Sequence, residues 1–181
     1  CLDVAYNIAM SPRKGPIHLD IPKDILTKKI NSKLRIYPIK THESTMGKNI
    51  MNKITLCKTL FENCKKPLII AGQGCNNSSE YLTRYSEKFN IPVTTTIHGM
   101  GCFNEKNKLS LGMLGMHGSV DANKSVQECD LIIGIGTRFD DRTIGKITEY
   151  APNCKYIIHV DNSLSQINKV RNLFSNTNKT I

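Results

Sequence analysis

The sequence predicts an α/β domain: a parallel sheet covered by helices on both faces. Two observations carry this. The strand-like runs Leu68-Ile69-Ile70-Ala71, Leu131-Ile132-Ile133 and Tyr156-Ile157-Ile158 are continuously apolar instead of alternating, as in strands buried on both faces. Segments with helical spacing stand between such runs, which is the order of βαβ units. Right-handed crossovers then bring every strand-to-helix loop to one edge of the sheet, where ligands of such sheets bind.

The elements follow in order. Residues 1–10 read as the end of a helix, with apolar Leu2, Val4, Ala5, Ile8 and Ala9, stopped by Ser11-Pro12. Ile17-His18-Leu19-Asp20-Ile21 reads as a short strand closed by Pro22. Residues 28–47 are polar and basic, contain Pro38 and show no period, so an interdomain linker is expected. Ile50, Ile54, Cys57 and Phe61 recur at helical spacing, and the strand 68–71 follows. Gly72-Gln73-Gly74 makes a tight turn, Asn77 with Glu80 a capping box, and Tyr81, Tyr85 and Phe89 the inner face of the next helix. Ile91-Pro92-Val93-Thr94-Thr95-Thr96 is a strand, and Gly99 and Gly101 punctuate the loop after it. Residues 109–118 form a loop rich in Gly and Met, and 120–129 a helix. Residues 130–136 and 156–161 are strands, 163–170 open a helix, and the Asn/Thr/Lys stretch from Asn172 is a loop or truncated edge.

Composition sets bounds on function. Hydrophobic residues make up 39% and charged residues 22%, enough to bury a core. No apolar stretch approaches the ~20 residues of a membrane-spanning helix, and the first ten residues lack the pattern of a signal peptide. The chain starts at Cys, which fits a piece of a longer polypeptide. The net charge of +10 is scattered among asparagines, with no Arg-rich helix and no aromatic-basic interleaving, so a nucleic-acid surface is not expected. The seven cysteines form no C-x-x-C pair, so reduced, mostly buried thiols are expected in place of a zinc site or disulfide framework.

The loops at the predicted strand ends carry the candidate chemistry. Gly72-Gln73-Gly74 matches the opening of a dinucleotide fingerprint, with Asn77 where the third glycine would stand; a plain tight turn fits equally. Arg138 can meet a phosphate or pair with Asp140 or Asp141. Asp161 can accept from a ribose, and capping the next helix is the commoner role. His117 lies in a glycine-rich loop without an evident nucleophile-base partner. Met113 and Met116 can pack on a flat cofactor or fill a core gap. Asp140-Asp141 is a poor metal pair, because adjacent side chains diverge and Arg138 and Arg142 offset their charge. From its residues alone the chain reads as a nucleotide-binding α/β domain without a catalytic apparatus.

Three runs add a resemblance: Leu114-Gly115-Met116-His117-Gly118, Gly136-Thr137-Arg138-Phe139-Asp140-Asp141-Arg142-Thr143-Ile144-Gly145-Lys146, and Gly15-Pro16-Ile17-His18-Leu19-Asp20-Ile21-Pro22-Lys23-Asp24. Together they resemble the acetolactate synthase (acetohydroxyacid synthase) large subunit, across nearly the whole chain. The resemblance implies a six-stranded parallel sheet. It implies that residues 1–27 are the tail of a pyrimidine-binding domain, 28–47 a linker, and 48–181 a central FAD-binding domain with its C-terminal end truncated. It implies FAD contacts at Arg13, Gly72, Gly74, Thr96, Ile97, Leu114, Gly115, Met116, His117, Gly136, Thr137, Arg138, Phe139, Asp140, Asp161 and Asn162. Lys23, Met116, Asp141 and Arg142 match positions lining the substrate channel. The chain departs from the family at Gln73, His98 and Asn162, and a side chain at 73 must point away or reshape the turn.

The implied reaction condenses two pyruvates, or pyruvate and 2-oxobutyrate, to 2-acetolactate or 2-aceto-2-hydroxybutyrate with release of CO2, toward isoleucine and valine. Thiamine diphosphate carries the carbanion, Mg²⁺ holds its diphosphate, and FAD is architectural. The activating glutamate and the metal motif belong to family segments outside this chain, so no catalytic residue or metal ligand is expected here and the fragment alone should be inactive. Implied partners are 2-oxo acids, a second copy in a homodimer or larger homo-oligomer, and a regulatory small subunit, in cytoplasm or plastid stroma. The rival readings are another thiamine-diphosphate decarboxylase or carboligase, opposed by Phe139-Asp140-Asp141-Arg142, and an NAD-binding dehydrogenase domain, opposed by Asn77.

Overall fold

A computed structural model describes residues 1–11, 14–29, 50–163, 165–167, 169 and 179–180. Most of the linker expected at 28–47 therefore lies outside the described residues, as does Arg13. The chain divides into two compact units, Cys1–Gly47 and Lys48–Ile181.

Among its described residues the first unit holds two helices, α1 (Leu2–Ala9) and the five-residue α2 (Lys23–Thr27). The segment 17–21 is not the strand its residues predict: it is exposed and has no ladder partner among the described residues. Apolar alternation supplies a strand's propensity, but a strand exists only when its amides and carbonyls find another.

The second unit is a six-stranded, all-parallel sheet of β1 (Pro67–Ala71), β2 (Val93–Thr95), β3 (Ser110–Met113), β4 (Leu131–Ile135), β5 (Tyr156–Val160) and β6 (Lys179–Thr180). The spatial order is β3-β2-β1-β4-β5-β6. Strand order reverses between β1 and β4, so the chain leaves these neighbours toward opposite sides and opens a crevice at their carboxyl ends. The helices are α3 (Ile50–Glu62), α4 (Ser79–Phe89), α5 (Val120–Glu128) and the four-residue α6 (Asp141–Ile144).

Successive residues of β1 serve opposite faces, which is why its sequence is apolar throughout. Leu68 and Ile70 join Ile132, Ile157 and the α5 residues Ala122 and Val126 in one core. Ile69 and Ala71 join Val93, Ile133, Ile158, Leu60 of α3 and Leu82 of α4 in the other. Each buried Leu or Ile contributes roughly 1.5–3 kcal/mol.

Local expectations are corrected at several points. Helix α4 does not bury Tyr81, Tyr85 and Phe89; Leu82 and Ser86 face the sheet, and Tyr81 is 71% exposed. Ser86 is wholly buried because its small side chain lets the helix approach, and its Oγ donates to the Ile91 carbonyl at 2.7 Å. Phe89 instead packs on α3, its ring 5.3 Å from that of Phe61 edge to face, and Tyr85 lies against Phe89 with centroids 4.9 Å apart. On α3 the buried residue is Leu60, while Ile54 is exposed. The N-cap of α4 is Ser78, without a side-chain cap, in place of the Asn77 box; Ser79 Oγ donates to the Cys102 carbonyl at 2.6 Å and anchors the first turn by a tertiary contact.

The loop expected at 109–118 contains β3, whose propensity is masked by Gly112 at φ +77° and by a register irregularity against β2. Beyond β5 the described residues turn and form no helix, and Asp161 Oδ1 accepts from the Ser163 amide at 2.7 Å. The polar C-terminal stretch, expected as loop, supplies β6 beside Tyr156 and Ile157; its strand character comes from pairing and not from its side chains.

Candidate functional site

The loops after β1, β2, β4 and β5 share the carboxyl edge of the sheet, and the loop after β3 joins them. At the centre, the turn after β1 lies directly on the turn after β4. The Gly72 amide donates to the Ile135 carbonyl at 2.9 Å, and the Gly74 amide to the Gly136 carbonyl at 3.2 Å. No side chain fits between them. A Cβ on Gly72 would stand 2.2 Å from the Gly136 oxygen, and one on Gly74 would stand 2.7 Å from the Gly136 Cα. Gly136 has φ +57° and donates to the Val160 carbonyl at 2.7 Å, which ties the same turn to β5. Glycine is required here for contact between backbones as well as for dihedral freedom. The Gln73 side chain is exposed, in a 3-10 turn over Gln73–Cys75, so the departure at 73 is accommodated by pointing outward.

From β2, buried Thr96 donates its amide to the Ala71 carbonyl at 2.9 Å, while Ile97 and His98 are exposed at the rim. Gly99 closes against β1, with room for no Cβ: it would lie 2.4 Å from the Ala71 oxygen. From β3, Leu114 is buried and bonded to the Thr95 carbonyl at 3.0 Å. Gly115, at φ +107°, sits against the Arg142 carbonyl, and a Cβ there would be 2.6 Å from that oxygen. Met116 and His117 are exposed beyond it. Among the described residues no hydrogen bond joins His117 to a hydroxyl, thiol or carboxylate.

The loop after β4 carries most of the candidates. Arg138 is exposed and reaches Asp140, Nη2 to Oδ2 3.5 Å, so the ion-pair alternative is realised while the guanidinium stays at the surface. Asp140 Oδ1 caps α6, accepting from the Thr143 amide at 3.1 Å and from Thr143 Oγ1 at 2.9 Å. Both its oxygens are thus engaged. Phe139 is fully buried at φ +48°, folded back beneath the loop. Asp141 and Arg142 begin α6 with exposed side chains. Asp161 closes the turn after β5 through the Ser163 amide, with no helix there to cap among the described residues, and Asn162 is exposed next to it. Lys23 belongs to the first unit, at the start of α2.

Two residues escaped the sequence reading. Asn123 of α5 grips Gly115 from both sides: its Oδ1 accepts from the Gly115 amide at 3.1 Å and its Nδ2 donates to the Gly115 carbonyl at 3.0 Å. Nothing in the sequence marks it, since a surface-like Asn in a helix is unremarked until its partner is known. His159 of β5 is buried, and its Nε2 lies 2.8 Å from the Thr137 carbonyl. A histidine inside an apolar strand was a visible signal. Burial pushes its pKa down; the Thr137 contact and Asp161 act in the opposite sense and are the smaller effects.

The edge brings together the bare backbone of Gly72, Gly74 and Gly136 and the exposed guanidinium of Arg138. Two buried polar atoms of this region, Thr137 Oγ1 and His159 Nδ1, have no partner among the described residues.

Residues 54–179 match the family model described as thiamine pyrophosphate enzyme, central domain. A probable acetolactate synthase large subunit of Methanocaldococcus jannaschii is 41% identical over 172 residues, covering 91% of this chain and 29% of that protein. The mitochondrial acetolactate synthase of Schizosaccharomyces pombe is 38% identical over 191 residues, 93% of this chain and 28% of its own length. The acetolactate synthase large subunit of Buchnera aphidicola subsp. Schizaphis graminum is 41% identical over 170 residues, 91% and 29%. The chain thus spans under a third of these relatives' length.

Proposed function

The chain belongs to the thiamine pyrophosphate enzyme family as its central domain, and on that premise we propose that it forms part of an acetolactate synthase large subunit whose central domain binds FAD. The whole protein would join the two-carbon fragment left when pyruvate loses CO2 to the carbonyl carbon of a second 2-oxo acid. The observation that carries the reading is the glycine-on-glycine contact of the turns after β1 and β4, with exposed Arg138 in the same loop as Gly136, in a chain about 40% identical to proteins bearing that name.

The residues fit a flavin nucleotide. Gly72, Gly74 and Gly136 would take the phosphates, with Arg138 supplying charge and a planar fork. Thr96, Ile97, Leu114, Gly115, Met116 and His117 would border the ring system, and Asp161 and Asn162 the adenosine end. Arg13, which lies outside the described residues, is proposed as a further FAD contact. Lys23, Met116, Asp141 and Arg142 would line the path of the substrate. Thiamine diphosphate, held with Mg²⁺ by other segments, supplies the carbanion chemistry when bound, and no net electron transfer is asked of the flavin. This chain's own part is to bind, orient and exclude water. A homodimer, a regulatory small subunit and a cytoplasmic or plastid setting complete the proposal. Among the described residues no helix is long and apolar enough to cross a membrane.

The test uses the complete polypeptide. It is titrated with FAD by flavin fluorescence, with NAD as competitor, and assayed with pyruvate for acetolactate. Saturable FAD binding that NAD does not displace, weakened by Arg138→Ala, together with acetolactate formation, supports the proposal. Displacement of FAD by NAD, or absence of acetolactate from folded protein supplied with thiamine diphosphate and Mg²⁺, overturns it.

A further inference from the structure

The loop at 136–140 holds an unfavourable backbone, with Gly136 at φ +57° and Phe139 at φ +48°. For phenylalanine this left-handed region is costly and persists only where surrounding structure enforces it. Two residues below the loop do so. Gly134 interrupts the apolar run of β4 and leaves a slot. The Phe139 ring fills it: a Cβ on Gly134 would lie 2.6 Å from the ring. His159 is the register partner of Gly134 on β5. Its ring meets that of Phe139 edge to face, centroids 5.1 Å apart at 87°. Its Nε2 reaches the Thr137 carbonyl at 2.8 Å. A carbonyl only accepts, so Nε2 carries the proton and Nδ1 the lone pair. Burial favours this neutral form.

We infer that His159 is a positioning residue for the nucleotide loop, fixing residues 136–140 through one hydrogen bond to Thr137 and one ring contact to Phe139. The inference rests on the reading of that loop as part of the flavin site. His159 itself touches no ligand. It acts by selecting the one backbone arrangement in which Gly136 lies on Gly74 while Arg138 faces outward.

The test compares His159→Leu, which keeps an apolar filler but no donor, with His159→Gln, whose side-chain amide can again donate to the Thr137 carbonyl. Both are made in the complete polypeptide. FAD affinity is read by fluorescence, and hydrogen exchange is followed in the peptide spanning 134–142. Leaving a buried carbonyl unpaired should weaken FAD binding about tenfold in the Leu variant. Exchange in that peptide should rise, and Gln should restore most of both. A folded Leu variant with wild-type exchange and affinity overturns the inference. So does equal loss in Leu and Gln, which would reduce His159 to packing. If wild-type protein binds no FAD, the flavin reading falls, and the exchange comparison still decides whether His159 holds the loop. Should His159→Leu fail to fold, Gly134→Ala displaces Phe139 from the opposite side; raised exchange at 136–140 supports the clamp, and unchanged exchange refutes it.

Discussion

Replacing Gly72 by alanine isolates the contact on which the crevice depends. Gly72 has φ −102°, open to any residue, so the substitution carries no dihedral penalty. Its cost is steric. The new Cβ would meet the Gly136 oxygen at 2.2 Å, the Thr137 Cα at 2.6 Å and the Gly136 carbonyl carbon at 2.7 Å. All three are backbone atoms and cannot rotate away, so the turns after β1 and β4 must part. Overpacking costs about 1–3 kcal/mol where side chains can give, and rigid backbone places this case at the upper end. Parting the turns also strains the bonds from Gly72 to Ile135 and from Gly74 to Gly136, at about 1 kcal/mol each. A loss of about 3 kcal/mol or more is expected, which for a unit of this size lowers the thermal midpoint by roughly 6–12 °C. The assay is thermal unfolding of the complete polypeptide with and without FAD, using Gly15→Ala as control. Gly15 has no atom within 4 Å of its added Cβ, and its substitution should stay within about 0.5 kcal/mol. A Gly72→Ala protein that unfolds and binds FAD like the control would refute the reasoning, because the two turns would then not be in contact.

Other predictions probe the packing beneath the site. Leu82→Ala should cost about 2–5 kcal/mol while Tyr81→Ala stays within about 0.5, measured by denaturation; the reverse order would restore the aromatic face as the buried one. Asn123→Ala removes both bonds to Gly115 and should lower stability by about 1–3 kcal/mol, and Asn123→Asp, which sets an acceptor oxygen against the Gly115 carbonyl, should recover none of it, both measured by denaturation. Stability should also depend on pH through His159. Its folded pKa lies below the ordinary 6.5, so the unfolded chain takes up the proton first as pH falls. The contribution is complete above about 6.5 and is lost as pH drops through that value toward the folded pKa. Denaturation at pH 7.5 and 5.5 should show a smaller difference for His159→Gln than for wild type; an equal difference would remove His159 as the source.

The sequence by itself determined the central strands of the sheet and the edge that carries the candidate residues. Strands buried on both faces need apolar side chains at every position, so β1, β4 and β5 are legible from runs such as Leu68-Ile69-Ile70-Ala71. Strand-turn-helix order with right-handed crossovers places Gly72, Thr96, Gly136 and Asp161 on one edge without further information. Only the tertiary structure decided what pairs and what faces inward. The segment 17–21 has a strand's composition and no ladder partner among the described residues, whereas polar Lys179–Thr180 is a strand because Tyr156 and Ile157 lie beside it. Helix α4 shows the same for a face: its aromatics have the spacing of a core stripe, yet the wholly buried Ser86 permits close approach and bonds to Ile91. His159 is far along the chain from Gly134 and Phe139 and meets them only through the β4–β5 register. Local periodicity is written along the chain, while pairing and burial depend on which surface arrives opposite, and that is a property of the folded whole.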